Sequence, residues 1–411
     1  MFLNVVGTYG VSSAGYWWGR LGAAVLRLVY LLLGNEFFVW LVLFADDWLI
    51  LAGGSSWREA ALLPLLFLRV LGIPLSWKKV SAGFVLSWIG LEVNLREWRQ
   101  GLSARRAAWV VQWFEETTAK QMIHIAEVRQ AVGRLQFAYN VIAWDRPFLA
   151  AFYAVISLHP PDAIIKLPVF LAVVISWLRE KLLVRRTVPC GRLSPRGDPL
   201  FRVDAKADGN DVVVGGWEPF YRSDGRPATE LSRWFAIRLT SETAPWAYAK
   251  GEPFKAVAAL ELLATVISLM VFAPKDRSTA GHRLVAVTGQ TDSMVSSMVL
   301  GKGLTTSFPL NLVAMEAAAQ MEARGIVLTL QWLPREVNTE ADALSNFRFS
   351  GFDSKNRIEI DLKDLPFLVL PRLSESALDF ENKALSGARI AGQKRRRPLA
   401  PEERLKVRAP W

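Results

Sequence analysis

One stretch organises this chain: Leu41-Val42-Leu43-Phe44-Ala45-Asp46-Asp47-Trp48-Leu49-Ile50-Leu51. Continuous apolar runs are typical of strands buried on both faces, so the pattern predicts a hairpin inside a core with Asp46 and Asp47 at its tip. Adjacent carboxylates would repel each other there and lose hydration, unless a cation neutralises them. Oxygen ligands suit Mg²⁺ or Mn²⁺, and a pair of such ions can assist phosphoryl transfer. The alternative is an ordinary turn, in which Asp is common.

Composition describes a globular chain with a basic bias. The 411 residues are 52% hydrophobic and 11% aromatic, which is enough to bury a large core in roughly two or three domains. The net charge of +11 favours a polyanionic partner, either nucleic acid or an acidic membrane surface. Part of this charge is local, since residues 389–408 contain eight Lys or Arg and two Glu.

Cysteine usage and hydropathy predict an intracellular protein with no membrane partner. Cys190 is the one cysteine, which excludes an internal disulfide framework and a cysteine-based zinc site and fits a reducing compartment. The charge-free apolar runs at residues 167–178 and 262–274 are shorter than the roughly 20 residues that a bilayer requires. The N-terminus has no pattern of a secretory signal.

The segments beside the hairpin predict further regular structure. A turn at residues 9–14, which contains Gly10, leads into a pattern of helical period over residues 16–28. This helix would enter the hairpin.

After the hairpin, one helix and two strands are predicted. Ser56-x-x-Glu59 is a capping box that would open a helix running to about Leu71. Residues 75–79 and 84–94 alternate in the manner of strands.

The order of these segments resembles that of reverse transcriptases, in which an aromatic-x-Asp-Asp hairpin precedes a helix, a Lys-bearing strand and a Trp-x-Gly strand. The closest resemblance is to the enzymes of tyrosine-recombinase-type (DIRS-like) retrotransposons. It is carried by Gly-Ile-Pro-Leu-Ser-Trp-Lys-Lys at residues 72–79 and Trp-Ile-Gly at residues 88–90. The resemblance implies that Asp46 and Asp47 are catalytic metal ligands of a polymerase palm.

The same resemblance implies substrate contacts. Gly10 would lie in the turn beside the template and the incoming nucleotide, and Lys78 or Lys79 would lie near the nucleotide's phosphates. The residues alone also allow a Gly turn that caps a core helix, and lysines that are solvated at the end of a hairpin.

Residues 103–156 have a helical pattern. Residues 125–138 carry apolar groups on one face and cations on the other, which suits a thumb that grips a duplex and equally suits any amphipathic surface helix. Pro-containing stretches at residues 159–161 and 189–197 interrupt the chain, and the second is the better domain boundary.

Four acidic residues follow in the second half of the chain. Asp204 is on a predicted strand, Glu261 in an almost wholly apolar helix, Asp292 at a strand end and Asp342 at the start of a short helix. A carboxylate in an apolar helix is unfavourable unless it has a partner. Taken singly, the three aspartates are also compatible with turns or with a helix N-terminus.

Strand, helix, strand end and helix start, in this order, match the metal-binding carboxylates of the ribonuclease H fold. Residues 332–345, Trp-Leu-Pro-Arg-Glu-Val-Asn-Thr-Glu-Ala-Asp-Ala-Leu-Ser, closely resemble the Pro-Gly-x-x-Asn-x-x-Ala-Asp-x-Leu-Ser stretch that closes this domain in retroelements, with Arg335 in place of Gly. The resemblance implies that the four carboxylates hold Mg²⁺ or Mn²⁺ and that Asn338 contacts substrate. The implied reaction is two-metal hydrolysis of the RNA strand of an RNA–DNA hybrid.

The expected fold is an α+β partial polymerase palm with a helical thumb or connection, followed by an α/β ribonuclease H-like domain whose mixed sheet is flanked by helices. The boundaries are residues 1–100 for the palm, 101–188 for the thumb or connection, 198–348 for the ribonuclease H-like domain and 349–411 for a basic, partly disordered tail. The run from Lys394 to Arg397 is typical of a nuclear-localisation signal, a nonspecific nucleic-acid arm or a solvated segment.

The resemblance begins partway through a polymerase. Reverse transcriptases of this type have a third metal-binding Asp and the fingers upstream of the Gly-containing turn. We therefore expect a chain truncated within the palm that extends no primer on an RNA template, and ribonuclease H chemistry as the activity able to work alone. Expected partners are template–primer and RNA–DNA hybrid, with deoxynucleotides only for a complete polymerase. The alternative is a noncatalytic nucleic-acid-binding relic.

Overall fold

The computed structural model describes a mixed α/β fold over residues 12–190, 197–209, 211–273 and 284–391. Two features singled out in the sequence, Gly10 and the basic run from Lys394 to Arg397, lie outside these ranges.

The described residues divide into two compact units. The first contains residues 12–93 and the second contains residues 94–391. The helical segment expected as a separate thumb or connection therefore shares one unit with the strands and helices expected to form the ribonuclease H-like domain.

The first unit consists of short elements in a simple order. They are α1 (Ser12–Leu33), β1 (Phe38–Phe44), β2 (Asp47–Gly53), α2 (Trp57–Val70), a 3-10 helix (Trp77–Lys79), β3 (Val85–Trp88) and β4 (Leu91–Asn94), which ends at the unit boundary. β1 and β2 pair antiparallel, and Phe44 lies opposite Asp47. A small core joins the two helices to the hairpin through Val25, Val29, Leu33, Leu41 and Leu68.

The hairpin is present, but it is not buried on both faces. Leu41 and Leu49 are buried, whereas the other face exposes Phe38, Trp40, Val42 and Phe44. Asp46 and Asp47 are exposed at the tip. The expectation of a hairpin inside a core is therefore wrong, and hydration alone can stabilise both carboxylates.

Helix α1 packs on the hairpin, as its helical pattern suggested. The Trp18 indole nitrogen Nε1 donates to the carbonyl oxygen of Ala45 at 3.0 Å, and the Tyr30 hydroxyl accepts from the amide of Leu41 at 2.8 Å. These contacts place α1 beside both the turn and the middle of β1.

Two expectations around α2 are wrong in detail. Ser56 precedes the helix, but its side chain makes no capping hydrogen bond. Residues 77–79 form a 3-10 helix rather than a strand, since the amide of Lys79 donates to the carbonyl of Ser76 at 2.9 Å. Alternation of apolar residues produces a strand only where a partner strand is available.

The strand expected over residues 84–94 is a hairpin. Ile89 and Gly90 have positive φ angles of 47° and 82°, and they form a two-residue turn between β3 and β4. Positive φ at both central residues is the geometry of the tight turns that match strand twist.

The second unit begins with mainly helical structure. Its elements are β5 (Arg99–Leu102), α3 (Ala104–Lys120), β6 (Met122–His124), α4 (Ile125–Tyr139), a 3-10 helix (Ala143–Phe148), α5 (Leu149–Leu158), β7 (Ile164–Lys166), α6 (Val169–Val184) and β8 (Thr187–Pro189). β5 pairs antiparallel with β8, and β6 pairs antiparallel with β7. The predicted helical segment is confirmed as α3, α4 and α5, with short strands at its joints.

The remainder of the second unit is built on a sheet. Its elements are β9 (Phe201–Asp208), β10 (Asp211–Trp217), a 3-10 helix (Thr229–Leu231), β11 (Trp234–Leu239), α7 (Pro245–Tyr248), a 3-10 helix (Pro253–Ala256), α8 (Val257–Phe272), β12 (Val285–Thr291), α9 (Met294–Lys302), α10 (Leu310–Arg324), β13 (Ile326–Trp332), a 3-10 helix (Arg335–Val337), α11 (Thr339–Ser345), a 3-10 helix (Ser354–Asn356) and α12 (Leu370–Ala391).

The sheet is mixed, with strand order β11-β10-β9-β12-β13. β9, β10 and β11 are antiparallel, whereas β12 runs parallel to β9 and to β13. Neighbouring residues of a strand point to opposite faces, and a Cβ on Gly215 would meet Leu344 of α11 while one on Gly216 would meet Ser268 of α8. Helices therefore cover both faces of the sheet.

A buried ion-pair cluster joins the helical segment to the sheet-containing part of this unit. Lys181 of α6 contacts both Asp145 and Glu322, and Glu322 belongs to α10. The Asp145 side chain is 2% exposed, so its charge depends on this one cation.

A buried carboxylate stabilises helix α12. This helix lies within residues 349–411, the segment expected to form a basic, partly disordered tail. The buried carboxylate of Glu316 accepts hydrogen bonds from the amides of Leu368, Val369 and Leu370 and so stabilises the start of α12.

One helical stretch in the described residues has the length and hydropathy of a membrane span. It covers residues 253–272 and is mostly buried inside the chain. Lys255 and Glu261 interrupt this stretch, so it is longer than the charge-free runs from which no membrane span was predicted. Burial on this scale is typical of a core helix, and this helix carries Glu261.

Candidate metal centre

Three of the predicted carboxylates meet in the second unit. Asp204 lies on the central strand β9, Glu261 on α8, and Asp292 directly follows β12. One oxygen atom from each carboxylate lies within 4.8 Å of the others, and this group can hold a metal ion.

Strand register explains why residues so distant in sequence come together. β9 and β12 are parallel neighbours, and Thr291 lies opposite Val203. Asp204 follows Val203 on β9 and Asp292 follows the last residue of β12, so pairing of the backbones brings the two carboxylates close together. Helix α8 packs on β9 and brings Glu261 to the same place.

The cluster is buried and incompletely hydrogen-bonded. Asp204 is 6% exposed and Glu261 is 8% exposed. Glu261 Oε2 and Asp292 Oδ1 are buried and have no hydrogen-bond partner among the described residues. Buried polar atoms are nearly always paired in folded proteins, so two orphaned oxygens in one cluster indicate a missing ligand.

Burial and mutual repulsion also alter the acidity of the cluster. Burial raises the pKa of Asp204 from 3.8 to about 7, with Asp292 and Asp342 contributing in the same direction, while a hydrogen bond from Ser345 opposes the shift. Burial likewise raises the pKa of Glu261 well above 4.5, assisted by the charges of Asp204 and Asp292. A divalent cation would reverse both effects by stabilising the ionised forms.

The donor set fits a hard divalent cation. All three residues offer carboxylate oxygens, which Mg²⁺ and Mn²⁺ prefer over nitrogen or sulfur ligands. Sequence reasoning identified each of these three residues, and the structure brings them together.

Asp342 differs from the other three. It is not part of the three-carboxylate group, although it lies near enough for its charge to raise the pKa of Asp204. Its oxygen Oδ1 lies 2.9 Å from Arg335 Nη2, and Oδ2 lies 3.0 Å from Arg348 Nη2. Both of its oxygens are therefore engaged by cations of the chain itself.

Asn338 makes a structural contact beside the cluster. It is fully buried, and its side-chain amide donates to the carbonyl of Val203 at 2.9 Å. Val203 precedes Asp204 on β9, so this bond connects the loop before α11 to the strand that carries the cluster. The substrate contact expected of Asn338 stays a prediction.

Sequence reasoning missed Ser345 as a functional residue. Its hydroxyl Oγ donates a short hydrogen bond to Asp204 Oδ2. The available signal was the final Ser of the Ala-Asp-x-Leu-Ser motif at residues 341–345, which was read only as part of a resemblance.

The residues predicted for polymerase chemistry that the structure describes lie in the first unit and are exposed. Asp46 and Asp47 occupy the hairpin tip, and Lys78 and Lys79 lie on the 3-10 helix. Within the described parts of the chain, neither aspartate belongs to a group of three potential metal ligands. Their catalytic and substrate-binding roles stay predictions.

Comparison with known proteins finds similarity only among solved structures. No family model and no curated protein matches the chain. Ribonuclease H1 from the halophilic archaeon Halobacterium salinarum NRC-1 is 20% identical with a TM-score of 0.24, over 36% of this chain and 94% of that one.

Foamy viral protease-reverse transcriptase is similar over a longer stretch. Its complex with dsDNA is 14% identical with a TM-score of 0.35, over 80% of this chain and 60% of that chain. Its complex with RNA/DNA hybrid is 14% identical with a TM-score of 0.34, over 77% of this chain and 38% of that chain. This chain thus spans less than two thirds of the viral chains. TM-scores this low give no support to a function for this chain.

Proposed function

We propose that the second unit is a ribonuclease H-like hydrolase that cleaves the RNA strand of RNA–DNA hybrids with Mg²⁺ or Mn²⁺. The observation that carries this proposal is the convergence of Asp204, Glu261 and Asp292 with two orphaned buried oxygens. A cluster this unfavourable without a cation is characteristic of a metal site rather than of a structural ion pair.

Each of the residues at this site would have a distinct role. Asp204, Glu261 and Asp292 would hold the ions, and Asp342 would join them once its arginine partners release it. Bound ions would supply activation of water and stabilisation of the leaving oxygen. Ser345 keeps Asp204 oriented and favours its ionised form, which is the form that binds metal.

The wider assignment belongs to the same proposal. We infer a retroelement reverse transcriptase and ribonuclease H chain of the DIRS-like type, in which the first unit is part of a polymerase palm and residues 101–188 serve as thumb or connection. The first unit would bind template–primer, with Lys78 or Lys79 near the phosphates of an incoming nucleotide and with Asp46 and Asp47 as metal ligands. Its location would be intracellular, and nuclear if the basic run from Lys394 to Arg397 acts as a signal.

A noncatalytic nucleic-acid-binding chain is the second candidate. It is favoured by the engagement of Asp342 with Arg335 and Arg348, which leaves three carboxylates instead of four in the group that can hold a metal ion. Basic residues would then retain affinity for a polyanion without hydrolysis.

The decisive experiment is cleavage of a labelled RNA–DNA hybrid by the full chain. We expect cleavage with Mg²⁺ or Mn²⁺, none with EDTA, and a loss of at least about 100-fold in D204N and E261Q, which preserve shape while removing a ligand charge. D211N is the matched control, because Asp211 is an exposed carboxylate of the same sheet outside the cluster. Metal-independent cleavage, or full activity of both cluster variants, would leave only the second candidate.

A further inference from the structure

Two arginines at the candidate metal centre have no role in holding a metal ion. Arg335 lies on the 3-10 helix before α11, and Arg348 follows α11. They approach Asp342 from the two ends of that helix. Each guanidinium forms an ion pair with one carboxylate oxygen of Asp342.

Exposure argues against a purely structural role for the pair. The side chains of Arg335 and Arg348 are 76% and 66% exposed, whereas Asp342 is 21% exposed. Ion pairs with such exposed partners contribute little to stability, because water screens them and long side chains lose entropy on pairing. The arginines are therefore held weakly enough to exchange partners.

The position of the two arginines beside the cluster favours phosphate as the partner that replaces Asp342. Arg335 contacts Asp342 and is largely exposed, and the charges of Asp204 and Asp292 also act on its guanidinium, so this cation lies beside the cluster and is open to solvent. A guanidinium presents a planar set of donors that matches phosphate oxygens as well as carboxylate oxygens. A nucleic-acid strand that reaches the cluster would bring its phosphates to these two side chains.

We propose that Arg335 and Arg348 are phosphate-binding residues for the nucleic-acid strand at this site, and that Asp342 holds them in place until the strand arrives. The inference rests on the proposed function in taking an RNA–DNA hybrid as the ligand. It adds one consequence. When the two arginines bind phosphate in place of Asp342, the carboxylate of Asp342 becomes available to a metal ion, and this happens only when substrate is present.

The test measures binding without metal, so that it does not depend on hydrolysis. Affinity of the full chain for a fluorescent RNA–DNA hybrid is measured in EDTA across a series of KCl concentrations. Each phosphate contact adds about 1 to the slope of log affinity against log salt. We expect R335Q and R348Q each to reduce the slope by about 1 and the double variant by about 2, while R335K and R348K keep it because the charge remains.

The matched control is R222Q. Arg222 forms an exposed ion pair with Glu230 in the same unit, with side-chain exposures of 55% and 46%, and neither residue belongs to the cluster. We expect its salt slope to equal that of the wild type. Thermal melting of each variant separates loss of a contact from loss of the fold.

The outcomes separate this inference from the proposed function. A wild-type slope in folded R335Q and R348Q, or no measurable binding of hybrid by the wild type, would overturn the phosphate-binding role. A reduced slope in both variants supports it even if the wild type cleaves nothing with Mg²⁺ or Mn²⁺, and in that case only the hydrolase proposal fails.

Discussion

The hydroxyl Oγ of Ser345 donates a hydrogen bond to Asp204 Oδ2, although 141 residues separate the two in the chain. Both side chains are buried, Ser345 at the end of α11 and Asp204 on β9. The bond lowers the pKa of a carboxyl group that burial raises. The position of α11 on the sheet therefore controls how readily Asp204 ionises.

Replacement of Ser345 by Ala should shift the pH dependence of metal binding. Loss of the hydrogen bond leaves burial and the neighbouring carboxylates to raise the pKa of Asp204 further. Half-maximal Mn²⁺ binding, measured by titration calorimetry at several pH values, should move to higher pH by about one unit. Ser157→Ala, at an exposed serine of α5, should leave the midpoint in place; equal midpoints in all three proteins would contradict the role given to Ser345.

Metal-free protein should become less stable as the pH rises. The pKa of Asp204 is raised from 3.8 to about 7, so between these values the folded chain binds more protons than the unfolded chain. The free energy of unfolding therefore falls through this window, by an amount on the order of 3 kcal/mol from this residue.

Urea denaturation in EDTA at about pH 5 and about pH 8 measures this loss of stability. Asp204→Asn cannot ionise at this position and should lose less stability over the same interval. Added Mg²⁺ should restore wild-type stability at the higher pH, because binding to the folded state stabilises it. A wild type that gains stability as the pH rises would contradict the raised pKa.

A methyl group at Gly215 should disturb the site from the opposite strand. Gly215 lies opposite Asp204, and a Cβ there would approach Leu344 Cβ to 2.9 Å and the Ser345 amide nitrogen to 3.1 Å. We expect Gly215→Ala to lower the free energy of unfolding by about 1–3 kcal/mol and to weaken Mn²⁺ binding, because α11 must move away from β10.

Gly133→Ala is the control for the same chemical change. Gly133 lies inside α4, and a Cβ there meets no atom within 4 Å. Alanine favours helix over glycine, so the control should gain about 0.5–1 kcal/mol. Equal effects of the two substitutions on unfolding would show that α11 tolerates displacement.

Removal of the cation from the buried cluster at Lys181 should be strongly destabilising. Lys181→Met removes the cation that contacts both Asp145 and Glu322, whose side chains are 2% and 11% exposed. We expect a loss of about 3–5 kcal/mol in urea denaturation. Lys120→Met removes a cation from an exposed pair with Glu116 and should change stability by less than about 1 kcal/mol.

The local sequence pattern was sufficient to predict secondary structure where neighbouring residues alone determine it. The apolar runs around Asp46 and Asp47 predicted the hairpin of β1 and β2, and the helical period predicted α1. Alternation failed at residues 77–79 and 84–94, since pairing requires a partner strand and a turn at Ile89 and Gly90 interrupts the second stretch.

The order of acidic residues also predicted the cluster, because the resemblance supplied a topology. Asp204, Glu261 and Asp292 meet in the structure. A local pattern does not determine burial, because burial depends on which distant segments of the chain pack against a residue. For this reason the exposed tip at Asp46 and Asp47 was predicted as buried.

The sequence by itself determined the β1–β2 hairpin, part of the later sheet, most of the helices and the identity of the candidate ligands, because periodicity and residue chemistry are local properties. Tertiary structure alone decided which carboxylates share one space and which cations reach them. The parallel register of β9 and β12 places Asp204 beside Asp292, and the packing of α11 brings Ser345 to Asp204. The tertiary structure also places Asp342 between Arg335 and Arg348, and their positions in the sequence do not reveal these contacts.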